Sequence, residues 1–154
     1  MRRILLGGLL AALAASAQTD NCSALAGFTL PDARVEITRA EKLAASKLSA
    51  GPQGAPAAPG FTIPAHCRVE GILDRRVGVG GKQYGIRFAL ALPDNWNGRF
   101  LFQGGGGLNG SVNPPIGQVA SGDAPAIVRG FAVVSTDTGH QGSVFDGSFF
   151  EDQQ

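Results

Sequence analysis

The residues Phe100-Leu101-Phe102-Gln103 run straight into Gly104-Gly105-Gly106-Gly107-Leu108-Asn109-Gly110-Ser111, and this junction constrains the fold more than any other stretch. The first four have the length and aromatic content of a buried strand. The glycines can adopt φ > 0 and carry no Cβ that would keep a ligand away from the backbone. Bare N–H groups at the end of a buried strand suit a developing oxyanion. The same residues also suit a plain flexible connector between two strands.

Around this junction the chain reads mainly as strands. Val35 to Arg39 alternates apolar and polar residues and predicts a strand, whereas Ala40 to Leu48, rich in Ala, Glu, Lys and Leu, predicts a short helix. His66 to Leu73 resumes strand character. A Gly-Gly turn within Gly78 to Gly81 then leads into Tyr84 to Leu92, which carries Ile86, Phe88, Leu90 and Leu92 on one face; together these form an antiparallel hairpin. Pro93 to Gly98 is a turn cluster, with Trp96 a packing residue at the sheet edge. Asn113-Pro114-Pro115 prevents a helix from starting directly after the glycines. Ala124 to Arg129 predicts a short helix closed by Gly130, and Phe131 to Thr136 predicts a strand buried on both faces of a parallel sheet. An antiparallel hairpin leading into parallel strands is the opening of an open α/β sheet, and the further strands and helices of a doubly wound sheet are not found, so the domain reads as incomplete.

The amino terminus predicts export. Arg2 and Arg3 precede the apolar run Ile4 to Ala15, which is too short to span a bilayer, and Ala15-Ser16-Ala17 forms a small-x-small cleavage site. Residues 1–17 are therefore expected to be a signal peptide, with a periplasmic or secreted product beginning at Gln18. No other stretch is long enough to span a membrane, and a net charge of +1 gives no electrostatic case for nucleic acid or an anionic membrane. In an oxidising compartment Cys22 and Cys67 are the one intramolecular pair available, closing a loop of about 45 residues. The alternative is that each pairs with a cysteine outside this chain. Two cysteines are too few to suggest a metal site. Ser49 to Gly60, composed largely of Ala, Gly and Pro, reads as a surface loop without chemistry.

Three chemical readings compete. Gly105-x-Gly107-x-x-Gly110 formally fits a dinucleotide fingerprint, but Pro114 and Pro115 stand where the phosphate-binding helix should run. A phosphate-binding loop fails because Ser111, not Lys, follows Gly110. An oxyanion loop of the α/β-hydrolase kind fits the order of strand, glycines and next parallel strand. No serine of the mature chain sits in a Gly-x-Ser-x-Gly elbow, however, and the two histidines are His66 and His140. His66 reads as structural. Asp137, His140 and Ser143 could form a local triad only if one loop held all three rigidly, so Asp137 and His140 are expected instead to pin their loop by side-chain-to-backbone bonds.

Taken together, Trp96-Asn97-Gly98-Arg99-Phe100, Gly104 to Gly107 with Asn109-Gly110-Ser111, Ser135 to His140, and Pro64-Ala65-His66-Cys67 resemble the tannase/feruloyl esterase family of α/β-hydrolases, over about Asp20 to Gln154. The resemblance implies the N-terminal portion (18–154) of the catalytic domain of a serine esterase acting on small-molecule esters of aromatic acids. It assigns an oxyanion-hole role to the backbone N–H of Gly107 and matches Cys22 and Cys67 to the family's N-terminal disulfide. The family's Ser–His–Asp triad, the disulfide beside it and a lid that often binds calcium all come later in the chain. The expectation for this sequence is therefore no catalytic triad, no cofactor, no metal, and no turnover on its own; His140 inherits no catalytic role. The rival expectation is a non-catalytic exported module that binds an aromatic or sugar ligand through the glycine loop.

Overall fold

The computed structural model describes residues 21–48, 60–117 and 124–151. The expected signal segment 1–17 and the loop residues 49–59 lie outside the described residues. The described residues form seven strands: β1 (Val35–Leu43), β2 (Ser46–Lys47), β3 (Thr62–Ile63), β4 (His66–Val77), β5 (Gln83–Pro93), β6 (Phe100–Gln103) and β7 (Ala132–Thr136). Five of them form one sheet in the order β1-β4-β5-β7-β6, while β2 and β3 pair separately.

The hairpin is as expected. β4 and β5 pair antiparallel from His66 opposite Pro93 to Val77 opposite Gln83. Between them the chain reverses with Gly80 and Gly81 at φ 67° and 75°, a left-handed backbone in which a Cβ would be strained. β1 extends further than its alternating core suggests. The residues expected to form a helix, Ala40 to Leu48, instead continue β1 to Leu43 and supply β2; Ala40 pairs with Val69 and Leu43 with His66. Helix propensities differ by only tenths of a kcal/mol per residue, and an available ladder on β4 outweighs them.

β6 and β7 run parallel, Phe100 opposite Ala132 through Gln103 opposite Ser135. β7 lies between β6 and β5, pairing antiparallel with β5 from Phe88 opposite Thr136 to Ala91 opposite Val133. It is therefore an interior strand, paired on both sides, with Val133 fully buried and Ser135 nearly so. β6 is different. Expected as a buried strand, it is the sheet's edge, with Phe100 and Phe102 exposed at 59% and 57%. Its apolar sequence suits a position with neighbours on both sides, and β7 supplies only one.

The connection from β6 to β7 crosses one face of the sheet. The expected helix at 124–129 is reduced to a tight turn, in which Val128, Arg129 and Gly130 donate to the carbonyls of Pro125, Ala126 and Ile127, each at 3.0 Å. Gly130 does end it, at φ 81°. Gln103 fastens this crossover to the sheet: its Oε1 accepts from Gly117 N–H at 2.7 Å and its Nε2 donates to Pro114 O at 3.2 Å.

The two faces are filled differently. On one, Ala91, Val133 and Leu101 pack under Ile116, Ala126 and Ile127. On the other, Phe88, Leu90 and Leu92 meet Val69, Ile37, Cys67 and the amino-terminal segment α1 (Asn21–Ala24), held by the Cys22–Cys67 disulfide with Cα atoms 5.5 Å apart. Trp96 is half-exposed beside β6, its indole N–H donating to Arg99 O at 2.8 Å.

Candidate functional site

The glycine run leaves the carboxyl end of β6, where open α/β sheets place their ligands. Gly104 to Gly107 are exposed, and the N–H groups of Gly105, Gly106 and Gly107 find no acceptor among the described residues. The chain then turns back: Asn109 N–H donates to Gly106 O at 3.1 Å, with Gly107 at φ 58° and Asn109 at φ 54°. Glycine takes such angles freely, and asparagine more readily than other side-chain-bearing residues.

The loop after β7 holds this arch. Asn109, buried, donates from Nδ2 to Thr136 O at 2.6 Å. Thr138, itself at φ 62°, donates from Oγ1 to Leu108 O at 3.2 Å. Gly110 N–H donates to Asp137 O at 3.2 Å, and Gly142 N–H donates to Gly110 O at 3.1 Å. Gly110 has no room for a side chain: a Cβ there would meet Gly142 O at 2.6 Å and His140 Cε1 at 2.8 Å.

Asp137 and His140 are the two buried ionisable groups of this loop, at 0% and 4% exposure. The Asp137 carboxylate is satisfied locally. Its Oδ1 accepts from the Arg87 N–H at 3.1 Å and the Gly139 N–H at 2.9 Å, and its Oδ2 accepts from Gln141 Nε2 at 2.7 Å. Three donors offset the cost of taking the carboxylate out of water. His140 lies with its Nε2 3.1 Å from Ser143 O and its ring centroid 5.1 Å from that of Phe149. Ser143 meets His140 through its carbonyl, while its hydroxyl accepts from Phe145 N–H at 3.3 Å. Asp137, His140 and Ser143 are thus neighbours that make no triad: the carboxylate does not orient the imidazole, and the imidazole does not reach the hydroxyl. Both Asp137 and His140 bond the backbone of their own loop, as the sequence reading expects.

His66 is likewise structural, buried with Nδ1 2.9 Å from Pro64 O. Among the described residues, no group of three or more His, Cys, Asp or Glu side chains could hold a metal ion, and no helix is long and apolar enough to cross a membrane. Sequence reasoning passed over Asn109 and Thr138. The one signal for them was Asn109-Gly110, a pair suited to left-handed backbone. Nothing in the sequence shows that Asn109 reaches Thr136, 27 residues away.

What the site offers is a set of free backbone donors at a strand's carboxyl end, rigidly backed, with no serine hydroxyl bonded to a histidine among the described residues. The chain is similar to known proteins in sequence and in fold. A mono(2-hydroxyethyl) terephthalate hydrolase from Piscinibacter sakaiensis is 44% identical over 85 residues, covering 54% of this chain and 14% of that enzyme. An uncharacterised esterase from Agrobacterium fabrum is 29% identical over 133 residues, covering 84% of this chain and 23% of the relative. The crystal structure of an esterase from Aspergillus oryzae superposes with a TM-score of 0.51 at 23% identity, over 79% of this chain and 22% of that one. The chain thus spans less than a quarter of the length of each of these relatives, and its mixed sheet is part of an α/β-hydrolase fold. Residues 67–154 match the family described as tannase and feruloyl esterase, and this chain belongs to that family.

Proposed function

We propose that this chain is the amino-terminal, oxyanion-loop portion of an exported serine carboxylic ester hydrolase acting on esters of aromatic acids. In this reading the serine elbow, the catalytic His and Asp and the lid belong to a longer polypeptide. The observation that carries it is the glycine loop at the carboxyl end of β6, whose exposed N–H groups have no acceptor among the described residues and whose arch is fixed from behind by Asn109, Thr138 and Gly110. Membership of an esterase family, short coverage of its relatives and the uncovered edge of β6 support the rest. The signal-like residues 1–17 and the disulfide support export.

The chemistry follows from family and geometry together. A serine Oγ supplied by the remainder attacks the ester carbonyl carbon while its proton passes to a histidine. The carbonyl oxygen becomes an oxyanion and accepts a hydrogen bond from Gly107 N–H. Collapse expels the alcohol, which takes the proton, and water then releases the aromatic acid from the acyl-enzyme. An N–H aimed at that oxygen contributes because it strengthens as charge develops; one such donor is typically worth about 10²–10³ in kcat. This segment needs no cofactor for that part, and calcium, if used, belongs to the lid.

The test is a pair of assays. The 154-residue chain should hydrolyse an aryl ester no faster than buffer. The reading frame extended past Gln154 should hydrolyse it and lose activity on stoichiometric labelling of one serine by a fluorophosphonate. An extended frame with no labelled serine would overturn the esterase reading. Cooperative folding of the short chain together with saturable binding of an aromatic acid would favour the binding module.

A further inference from the structure

We infer that Asn109 is a positioning residue whose side chain sets the geometry of the glycine arch from which Gly107 donates. The inference rests on the oxyanion reading above and adds to it the group that makes a glycine-rich loop rigid enough to serve.

Four consecutive glycines lose more backbone freedom on ordering than any other run of that length. A donor array useful in catalysis must nevertheless be fixed before the charge develops, and a displacement of about 1 Å can cost as much as 10²-fold in rate. Besides the bonds of Thr138 and Gly110, one buried side chain reaches directly beneath the glycines. Asn109 is 5% exposed. Its Nδ2 donates to the carbonyl of Thr136, the last residue of the interior strand β7. Its own N–H donates to Gly106 O and closes the arch on itself. Its amide also fills the space beside Gly105, where a Cβ would lie 2.6 Å from Nδ2, so the side chain forms the floor on which the arch rests. Its left-handed backbone, φ 54°, aims the side chain into the sheet while the chain turns toward Gly110. Asn109 thus ties Gly105 and Gly106 directly to the end of the most buried strand. Around the arch, a Cβ at Gly104 or Gly106 would meet nothing within 4 Å, so those two positions gain no support from packing.

Asn109 touches no reacting atom in this account, so its test needs readouts that a merely stabilising residue would not move. Three variants separate the contributions. Asn109→Asp keeps shape and backbone but loses the donor to Thr136 O, Asn109→Gly keeps the left-handed backbone but loses the amide, and Asn109→Ala loses both. In the extended enzyme, ¹⁵N relaxation should show Gly105, Gly106 and Gly107 moving from rigid to flexible order parameters in each variant, with β5 and β7 unchanged. In the extended enzyme, kcat for an aryl ester should fall roughly tenfold or more while KM stays within about twofold, because the arch is used in the transition state. Unchanged glycine order and unchanged kcat in Asn109→Asp and Asn109→Gly would overturn the inference. A uniform loosening of β7 with the arch, or a change in unfolding midpoint with kcat intact, would do the same by reducing Asn109 to a structural residue.

A crystal structure of the wild-type enzyme carrying a phosphonate on its serine keeps the two claims apart. A phosphoryl oxygen within hydrogen-bond distance of Gly107 N, with a normal kcat in the Asn109 variants, defeats only the positioning role. A phosphoryl oxygen held elsewhere defeats the oxyanion reading itself.

Discussion

The two faces of the sheet carry side chains of opposite size and opposite cover. Under the crossover, β5 presents Ala89 and Ala91, each 1% exposed, and β7 presents Val133 at 0%. On the other face β5 presents Ile86, Phe88, Leu90 and Leu92, β7 presents Val134 and β6 presents Phe102, and none of these is fully buried. Small residues are buried because the crossover approaches closely and Ile116, Ala126 and Ile127 fill the space. Large residues stay half-open because, among the described residues, the segment around Cys22, Leu25 and Phe28 covers them in part, leaving an apolar groove of about 360 Å³. Hydrophobic size is therefore a poor guide to burial here; what lies opposite a residue decides it.

The difference can be broken first at its closed side. Ile127→Ala should remove about 2–5 kcal/mol of stability, measured by urea unfolding, because the residue is fully buried between the crossover and the sheet. Removing the tie on the open face, with Cys22→Ser and Cys67→Ser together, should cost roughly 3–5 kcal/mol by the chain-entropy estimate for a separation of 45 residues. If the double variant loses under 1 kcal/mol, the amino-terminal cover is held by packing rather than by the covalent link. Gly117→Ala probes crowding under the crossover. Gly117 sits at φ 67°, and a Cβ would meet Ala126 Cβ at 2.6 Å and Leu101 Cδ2 at 2.8 Å, so a loss of about 1–3 kcal/mol is expected. Phe102→Ser on the open face should change monomer stability by under about 1 kcal/mol while reducing self-association in sedimentation, since the ring is already mostly in water.

The smallest effect is electrostatic. Lys82 donates to Glu151 at 3.1 Å, and that hydrogen bond, with the carboxylate's charge, holds the ammonium's pKa above its ordinary 10.5. A raised pKa in the folded state means the contribution is complete below 10.5 and is lost as pH rises through the folded value. Both groups are well exposed, so only a slight loosening of the turn Ser148–Glu151 above that pH is expected, visible as a Glu151-dependent change in Phe150 side-chain NMR shifts.

Legibility in the sequence followed how local each signal was. The hairpin was readable because its alternation and its glycine turn lie within one stretch, Cys67 to Leu92. The strand before the glycines was readable as a strand, but its place at the edge was not, since Phe100 and Phe102 look as apolar as any central residue. Ala40 to Leu43 looked helical because composition cannot register the ladder that β4 offers. At the site, Asp137 and His140 were legible as loop-pinning groups, whereas Asn109, Gln141 and Arg87 were not. Their partners are 27, 4 and 50 residues distant, and only the sheet order brings the farthest of them together.

By itself the sequence determined the strand-rich character, the glycine run after an apolar strand, the cysteine pair available to close a loop and the family. These are properties of composition, period and motif, carried by residues adjacent in the chain. Only the tertiary structure decided that β7 lies between β5 and β6, that the alanine face is the buried one, and that Asn109 reaches Thr136 beneath the glycine arch. Each of these depends on which segments share a ladder, and a ladder is set by the free energy of the whole sheet and not by any stretch within it.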